Sequence, residues 1–350
     1  MISGQKALVA MSGGVDSSVA AFLAMEQGFS CIGGTALLCQ PPQEVEDARS
    51  VASLLGIPFH VFDGAGLFRE KVQQSFVKCY EAGLTPNPCI ECNRHIKFGF
   101  LLDRALELGC SHIVTGHYAL VSQDPDTGRW LLKKAVNAEK DQSYFLATLT
   151  QEQLQHCLFP LGQLSKEQAR LLAQQQGFVN ARKRDSQDIC FIPDGDYPAF
   201  LQRFTGKTYP EGDYLDLQGN VVGRHRGAVC YTLGQRKGLG IALGQPVYVC
   251  DKDMQRNTVT VGPNEALFHK ALLASGWSWF PFAQLKAPLR CKAKARSRMT
   301  EQPATVYPEA DGMARVVFDE PQRAITPGQT VVLYDGDTVI GGGYIQTVIQ

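Results

Sequence analysis

Residues Ala7–Ala21 read ALVAMSGGVDSSVAA, and the fold follows from them. Ala7 to Met11 is a short apolar run of the kind that forms a buried strand. Val15 to Glu26 carries Val15, Val19, Phe22 and Leu23 on one helical face, with Gly28 placed to end the helix. Ser12-Gly13-Gly14 separates the two patterns. Two glycines between a strand and a helix let the backbone approach a ligand closely. The exposed helix N–H groups, with Ser12, Ser17 and Ser18, make an anion site. No Gly-Lys-Ser/Thr follows, so the Walker pattern is absent.

The alternation continues down the chain. Ser30–Leu38, Ile57–Phe62 and Ser111–Tyr118 read as strands; Gln43–Leu55, Gly66–Ala82 and Arg94–Leu108 read as helices. This predicts an α/β fold with a doubly wound parallel sheet, whose ligands sit beyond the carboxyl ends of the strands. Gly116 and His117 close one of those strands, where a Gly suits backbone contact with a nucleotide and a His suits contact with substrate. A hairpin is expected around Asp124–Gly128, and Ser165 caps a helix ending before Gly177.

Cysteines mark a second feature. Thr85–Asn93 reads TPNPCIECN, and its two prolines predict a shaped loop, with Asn93 capping the next helix. Cys92 then stands just before a helix N-terminus, where the dipole lowers a thiol pKa. Cys89-x-x-Cys92 has the spacing of half a structural zinc site, but no second close Cys/His pair follows. Arg182–Ile192, RKRDSQDICFI, brings Cys190 to the polar edge of an apolar segment. Cys110 and Cys157 read as core residues.

Near residue 206 the helical periodicity fades. Short β-rich runs and turns follow, including the Gly-rich basic loop Tyr231–Gly240. We read a first domain at 1–205 with a helical extension, a small central β domain at 206–265, and a C-terminal β-barrel at 266–350. Within the last, Arg290, Lys292, Lys294, Arg296 and Arg298 alternate with small or apolar residues, which predicts a strand with five cations on one face. A phosphate backbone would relieve their mutual repulsion.

Composition narrows the class. The 350 residues suit two or three domains and carry a formal net charge of zero, so affinity for a polyanion must be local. Leu285–Thr300 supplies six Lys/Arg with no acid, and Val221–Cys250 four. The 11 scattered cysteines argue against a secreted disulfide framework. No 18-residue apolar run and no basic-then-apolar leader is present, so a cytoplasmic location without a membrane is expected.

SGGVDSS resembles the pyrophosphatase loop of enzymes that adenylate a substrate, the adenine nucleotide alpha hydrolase-like fold. With TPNPC..CN..IKF (85–98), TGHY (115–118), KDQSYFL (140–146), DS..ICFI (185–192), YTLGQRKGLGI (231–241), FDEP (318–321) and TPGQ (326–329), the chain is similar nearly end to end to the tRNA-specific 2-thiouridylases. The resemblance implies ATP and Mg2+ at Ala10, Met11, Ser12, Gly13, Gly14, Val15, Asp16, Ser17, Ala36 and Gly116, with Asp16 helping to hold the metal. It implies tRNA contacts at His117, Lys140, Asp141, Gln142, Arg296, Ser297 and Gln329, and the target base near Asn87, Pro88 and Cys89. It also implies ATP-dependent 2-thiolation of the wobble uridine. Cys190 would carry a persulfide supplied by a sulfur donor, a cysteine desulfurase or a sulfur-relay protein. Cys92 would be the nucleophile that releases the sulfur, leaving a Cys92–Cys190 disulfide. A monomer is expected.

Many members have Asp where this chain has Cys89. Cys89, Cys92 and Cys190 would then be a trio of the kind that holds a 4Fe–4S cluster, an alternative sulfur carrier. Strand two ends in Ala36-Leu37-Leu38, where members often have Met and a basic residue. Two other classes compete: a small-molecule adenylating ligase, and a non-catalytic RNA-binding protein with a retained nucleotide fold. Intact SGGVDSS, Cys92 and Cys190 weigh against the latter, and the basic β domains against the former.

Overall fold

The architecture comes from a computed structural model of the chain, described for residues 4–183 and 189–349. Its first seven strands are β1 (Lys6–Ala10), β2 (Ser30–Leu37), β3 (Phe59–Asp63), β4 (His112–Val114), β5 (Ala119–Gln123), β6 (Trp130–Lys134) and β7 (Cys157–Leu158). Five of them form a parallel sheet in the order β3-β2-β1-β4-β7. The strand order reverses between β1 and β4, so the loops after these two strands flank the crevice at the carboxyl edge. Ala7, Leu8 and Val9 are wholly buried, because helices cover both faces of the sheet. Helix α1 (Val15–Glu26) and helix α2 (Pro42–Leu54) both pack Val and Ala side chains into one of the cores.

A second sheet of four strands contains β8 (Gly212–Leu215), β9 (Val221–His225), β10 (Tyr248–Asp253) and β11 (Thr258–Gly262). The last six strands are β12 (Phe268–Trp279), β13 (Leu289–Lys294), β14 (Gln302–Pro308), β15 (Ala314–Arg323), β16 (Thr330–Asp335) and β17 (Thr338–Ile349). They run in the order β12-β15-β14-β13-β16-β17, and β12 pairs with β17 to close a six-stranded barrel. The hairpin β5–β6 leaves the parallel sheet and joins this barrel through Thr338 opposite Lys133. The first 205 residues therefore extend a hairpin onto the C-terminal sheet.

Two expectations need correction. The helix predicted from Arg94 begins at Pro88 instead: Pro88 takes the first helical position, where its missing N–H costs nothing, and the Asn87 side chain accepts from Cys89 N at 3.2 Å. Asn93 is no cap; its Nδ2 donates to Phe145 O at 2.9 Å from inside the helix. The five-cation strand also fails. Strand β13 stops at Lys294, and Arg296 and Arg298 lie in the turn that follows. Arg290 is neutralised by Asp319 across the sheet.

Among the described residues no helix is long and apolar enough to cross a membrane.

Candidate active site

The loop after β1 is built from its own side chains. Ser17 Oγ accepts from Ser12 N (3.2 Å) and donates to Gly14 O (3.0 Å), and Ser18 Oγ also donates to Gly14 O (3.0 Å). Gly13 sits at φ +72°, and a Cβ there would fall 2.2 Å from Glu44 O. No other residue fits that turn without moving α2. At Gly116 a Cβ would fall 2.7 Å from the Asp16 backbone, so this Gly serves close packing of the β4 loop on the start of α1. Ala10 ends β1, Met11 is buried, and Val15 opens the helix. Ala36 is buried near the end of β2 and its carbonyl accepts from Gln40 Nε2 at 2.7 Å.

Two side chains that carry no sequence signal of their own brace this loop. Asn180 Nδ2 donates to Gly13 O (3.1 Å) and Ser18 Oγ (2.9 Å), and Lys183 Nζ lies 3.4 Å from Gly13 O and 3.2 Å from Asp47. Asp16 differs from expectation. Lys166 Nζ holds both its oxygens at 2.7 and 2.8 Å, and Tyr118 Oη donates to one of them at 2.9 Å. A carboxylate so engaged does not fit the task of holding magnesium.

The thiols gather at the same sheet edge. Cys92 opens a nine-residue π-wound stretch, Cys92–Phe100, between two α-helical turns. Gln153 braces this stretch from outside: its Nε2 donates to Arg94 O (2.9 Å) and Phe98 O (2.8 Å). Lys97 lies five positions after Cys92. An α-helix would rotate Lys97 about 140° away, whereas π-type bonding joins residues five apart. The Lys97 ammonium lies 3.4 Å from His117 Nε2, and His117 Nδ1 shares a 2.7 Å hydrogen bond with Thr115 Oγ1. Among the described residues no carboxylate pairs with Lys97. Its charge bears on Cys89, Cys92 and Cys190, lowering the pKa of all three.

Burial separates the thiols by acidity. Cys92 packs against the main core, and its thiol is pushed up to about 11, with Lys97 opposing. The expected lowering by a helix N-terminus is overturned: Cys92 lies inside a helix, and desolvation outweighs the dipole. Cys89 is raised for the same reason. Cys190 goes the other way, to about 7, chiefly because the Cys39 thiol donates to it, with Lys97 and the N–H groups of its own turn helping against burial. His117 is buried between Phe98 and Phe159, and burial followed by Lys97 keeps it neutral, well below its ordinary value.

Cys39 is thus a fourth thiol at the site. Its only sequence signal is a place just past the end of β2. Cys190 is exposed on a turn anchored by Phe191, which packs edge-on to Phe68 and Phe76. Asp185 and Ser186, from the motif around Cys190, lie outside the described residues. Among the described residues no three Cys, His, Asp or Glu stand where they would hold a metal ion.

The remaining polar residues mostly brace the site. Asp141 accepts from Ala135 N, Ser143 N and Ser143 Oγ, and Gln142 Oε1 accepts from Tyr118 N; Lys140 beside them is half-buried. Gln329 Nε2 donates to Thr85 O at 2.7 Å, and Thr85 N donates to Pro327 O, so the barrel pins the loop that leads to Asn87 and Pro88. Arg296 is tied to Leu233 O and Thr326, with Ser297 next to it half-buried.

Comparison with known proteins places this geometry. Family models match residues 5–194 as a tRNA methyl transferase HUP domain, 198–263 as its PRC-barrel domain and 269–345 as an aminomethyltransferase beta-barrel domain. The tRNA-specific 2-thiouridylase MnmA of Acetivibrio thermocellus is 47% identical, covering 99% of this chain and 100% of that protein. The chain belongs to the tRNA-specific 2-thiouridylase family of tRNA-modifying enzymes. Another relative of that name, from Clostridioides difficile, is 46% identical over 99% of both chains. One from Heliobacterium modesticaldum is 49% identical, covering 97% of this chain and 91% of its own length. The relatives' names and the methyl transferase description disagree about the reaction.

Proposed function

We propose that this family member uses ATP to replace the 2-oxygen of a tRNA uridine with sulfur. One observation carries the reading: a nucleotide-type loop and an ionisable thiol, Cys190, share the carboxyl edge of one sheet, with half-buried Cys92 and Lys97 beside them. Methyl transfer has no use for that combination, and the relatives named 2-thiouridylase agree with it.

The chemistry follows from the groups. A uracil oxygen is a poor leaving group. Attack of that oxygen on the α-phosphorus of ATP releases pyrophosphate and makes it the oxygen of AMP, which leaves readily. The loop after β1 offers the N–H groups at the start of α1 for the triphosphate. Magnesium would accompany the nucleotide through its own phosphate oxygens, since Asp16 is engaged by Lys166. Sulfur arrives as a persulfide on Cys190, whose thiolate is available near neutral pH. Cys92 then attacks the Cys190 Sγ, a Cys92–Cys190 disulfide forms, and hydrosulfide leaves to attack the activated carbon. Lys97 supplies the charge that favours the Cys92 thiolate against its burial. His117, Lys140, Arg296 and Gln329 are proposed to orient tRNA around Asn87–Cys89, and their braces set the shape of that surface.

The test is pyrophosphate release from ATP with and without unmodified tRNA. Release that requires tRNA and precedes thiolation supports the reading. Release with a small substrate instead would make the chain a ligase, and no release would leave an RNA-binding protein.

A further inference from the structure

The C-terminal barrel reaches the thiols from behind, through two side chains that the thiolation chemistry does not use. Cys89 and Cys92 stand three positions apart in the helix that begins at Pro88. At about 100° per residue they share one side of it, about 60° apart. Glu91 stands on the other side, about 100° from Cys92 and about 160° from Cys89. Its carboxylate is half-buried, and both oxygens have a partner. Tyr344 Oη donates to Oε1 at 2.7 Å, and His95 Nε2 lies 3.4 Å from Oε2. Burial alone would raise the Glu91 pKa, but His95 and Tyr344, with the Arg94 charge, hold it below its ordinary value.

The seat of Tyr344 is built. Its neighbour Ile345 on β17 faces the barrel core, whereas Tyr344 leaves the barrel and packs against the main core that also holds Ile90 and Cys92. Gly276 makes room for the ring: it sits at φ +63°, and a Cβ there would fall 3.2 Å from Tyr344 Cδ2. A second grip lies upstream. Gln329 Nε2 donates to Thr85 O (2.7 Å) and Thr85 N donates to Pro327 O (2.9 Å). The barrel therefore holds the cysteine segment both before Asn87 and after Cys89.

We propose that Tyr344 and Glu91 are positioning residues for Cys92: through them the barrel sets the rotation of the helical turn, and so the direction in which the Cys92 sulfur faces. Neither touches a reacting atom. Adenylation, at the loop after β1, does not depend on them, whereas sulfur delivery does. With the clamp gone, the adenylated uridine waits for sulfur and water attacks the activated carbon instead. AMP then leaves, the uridine returns unchanged, and the pyrophosphate already released has yielded no product. The Tyr344–Glu91 bond thus ties ATP cleavage to thiolation.

This role rests on the proposed thiolation function, so one of two measurements on the full-length protein is independent of it. The first is pyrophosphate released per thiolated tRNA, with unmodified tRNA, ATP and inorganic polysulfide. Tyr344→Phe and Glu91→Ala should each raise the ratio at least fivefold while pyrophosphate release stays within twofold of the parent. The double variant should be no worse than Glu91→Ala alone. Glu91→Gln, whose amide oxygen still accepts from the phenol, should stay within twofold of the parent ratio. A parent ratio in Tyr344→Phe and Glu91→Ala, including one in which both rates fall together, overturns the proposal. The second is alkylation by iodoacetamide without ATP or tRNA, read by peptide mapping. Cys92 should react at least threefold faster in Tyr344→Phe and Glu91→Ala, with Cys190 unchanged. Equal Cys92 rates in all three proteins overturn the positioning role. If the parent makes no thiolated tRNA, the thiolation reading fails, and alkylation still decides whether the barrel positions Cys92.

Discussion

The nucleotide-type loop and the thiol site lie at one sheet edge but are made differently. The loop is mostly local: Ser12, Gly14, Ser17 and Ser18 bond to one another within seven residues, and only Gly13 O is held from afar, by Asn180 and Lys183. The thiol site is gathered from the end of β2, the Pro88 helix, the end of β4 and the turn at Cys190. A local site is set by backbone conformation, so steric changes break it. A gathered site is set by packing, so its chemistry depends on what surrounds each group.

The largest effect is expected at the thiols. Cys92→Ser and Cys190→Ser should each lower thiolation by about a thousandfold or more, in line with loss of an activated nucleophile, while leaving tRNA-dependent pyrophosphate release in place. Full thiolation in either variant would remove that cysteine from the reaction. Gly13→Ala should do the reverse: pyrophosphate release collapses, and the protein loses about 1–3 kcal/mol of stability in denaturant titration, as for a strained positive-φ residue.

Smaller effects test how packing tunes the thiols. Gln153→Ala removes the brace on Arg94 O and Phe98 O, so the stretch that carries Lys97 is less firmly held beside Cys92. Thiolation should fall about tenfold, with a stability loss of about 2–4 kcal/mol for three hydrogen bonds, the third being Thr150 N to Gln153 Oε1. Lys97→Met should move the pH dependence of Cys190 alkylation upward by about half to one unit, because Lys97 now lowers that pKa. An unmoved profile would show that Lys97 does not act on the thiol. The smallest effect concerns His117. Its folded pKa lies well below the ordinary 6.5, so below about 6.5 the unfolded chain binds a proton that the folded chain refuses. Stability is full above 6.5 and falls as the solution is acidified, and His117→Gln should flatten that slope.

Much of the fold is legible in the residues alone. Alternating periodicity in Ala7–Phe62 predicts the parallel sheet, and β-rich runs after residue 206 predict the later β architecture. Errors arise where a side chain from elsewhere overrides local preference. Pro86 and Pro88 read as helix breakers, yet Pro at the first helical position is compatible with a helix, and Asn87 caps it. The cation face from Arg290 to Arg298 fails because alternation continues in the sequence after β13 has turned away at Ala295.

By itself the sequence determined the loop after β1, the strand–helix order and the presence of chemically competent cysteines. These depend on glycine sterics, side-chain period and residue identity, which act over a few positions. Only the tertiary structure decided which thiol ionises. Burial raises Cys92, while Cys39 and Lys97 lower Cys190. Desolvation and charge act through space, between residues that the chain places far apart.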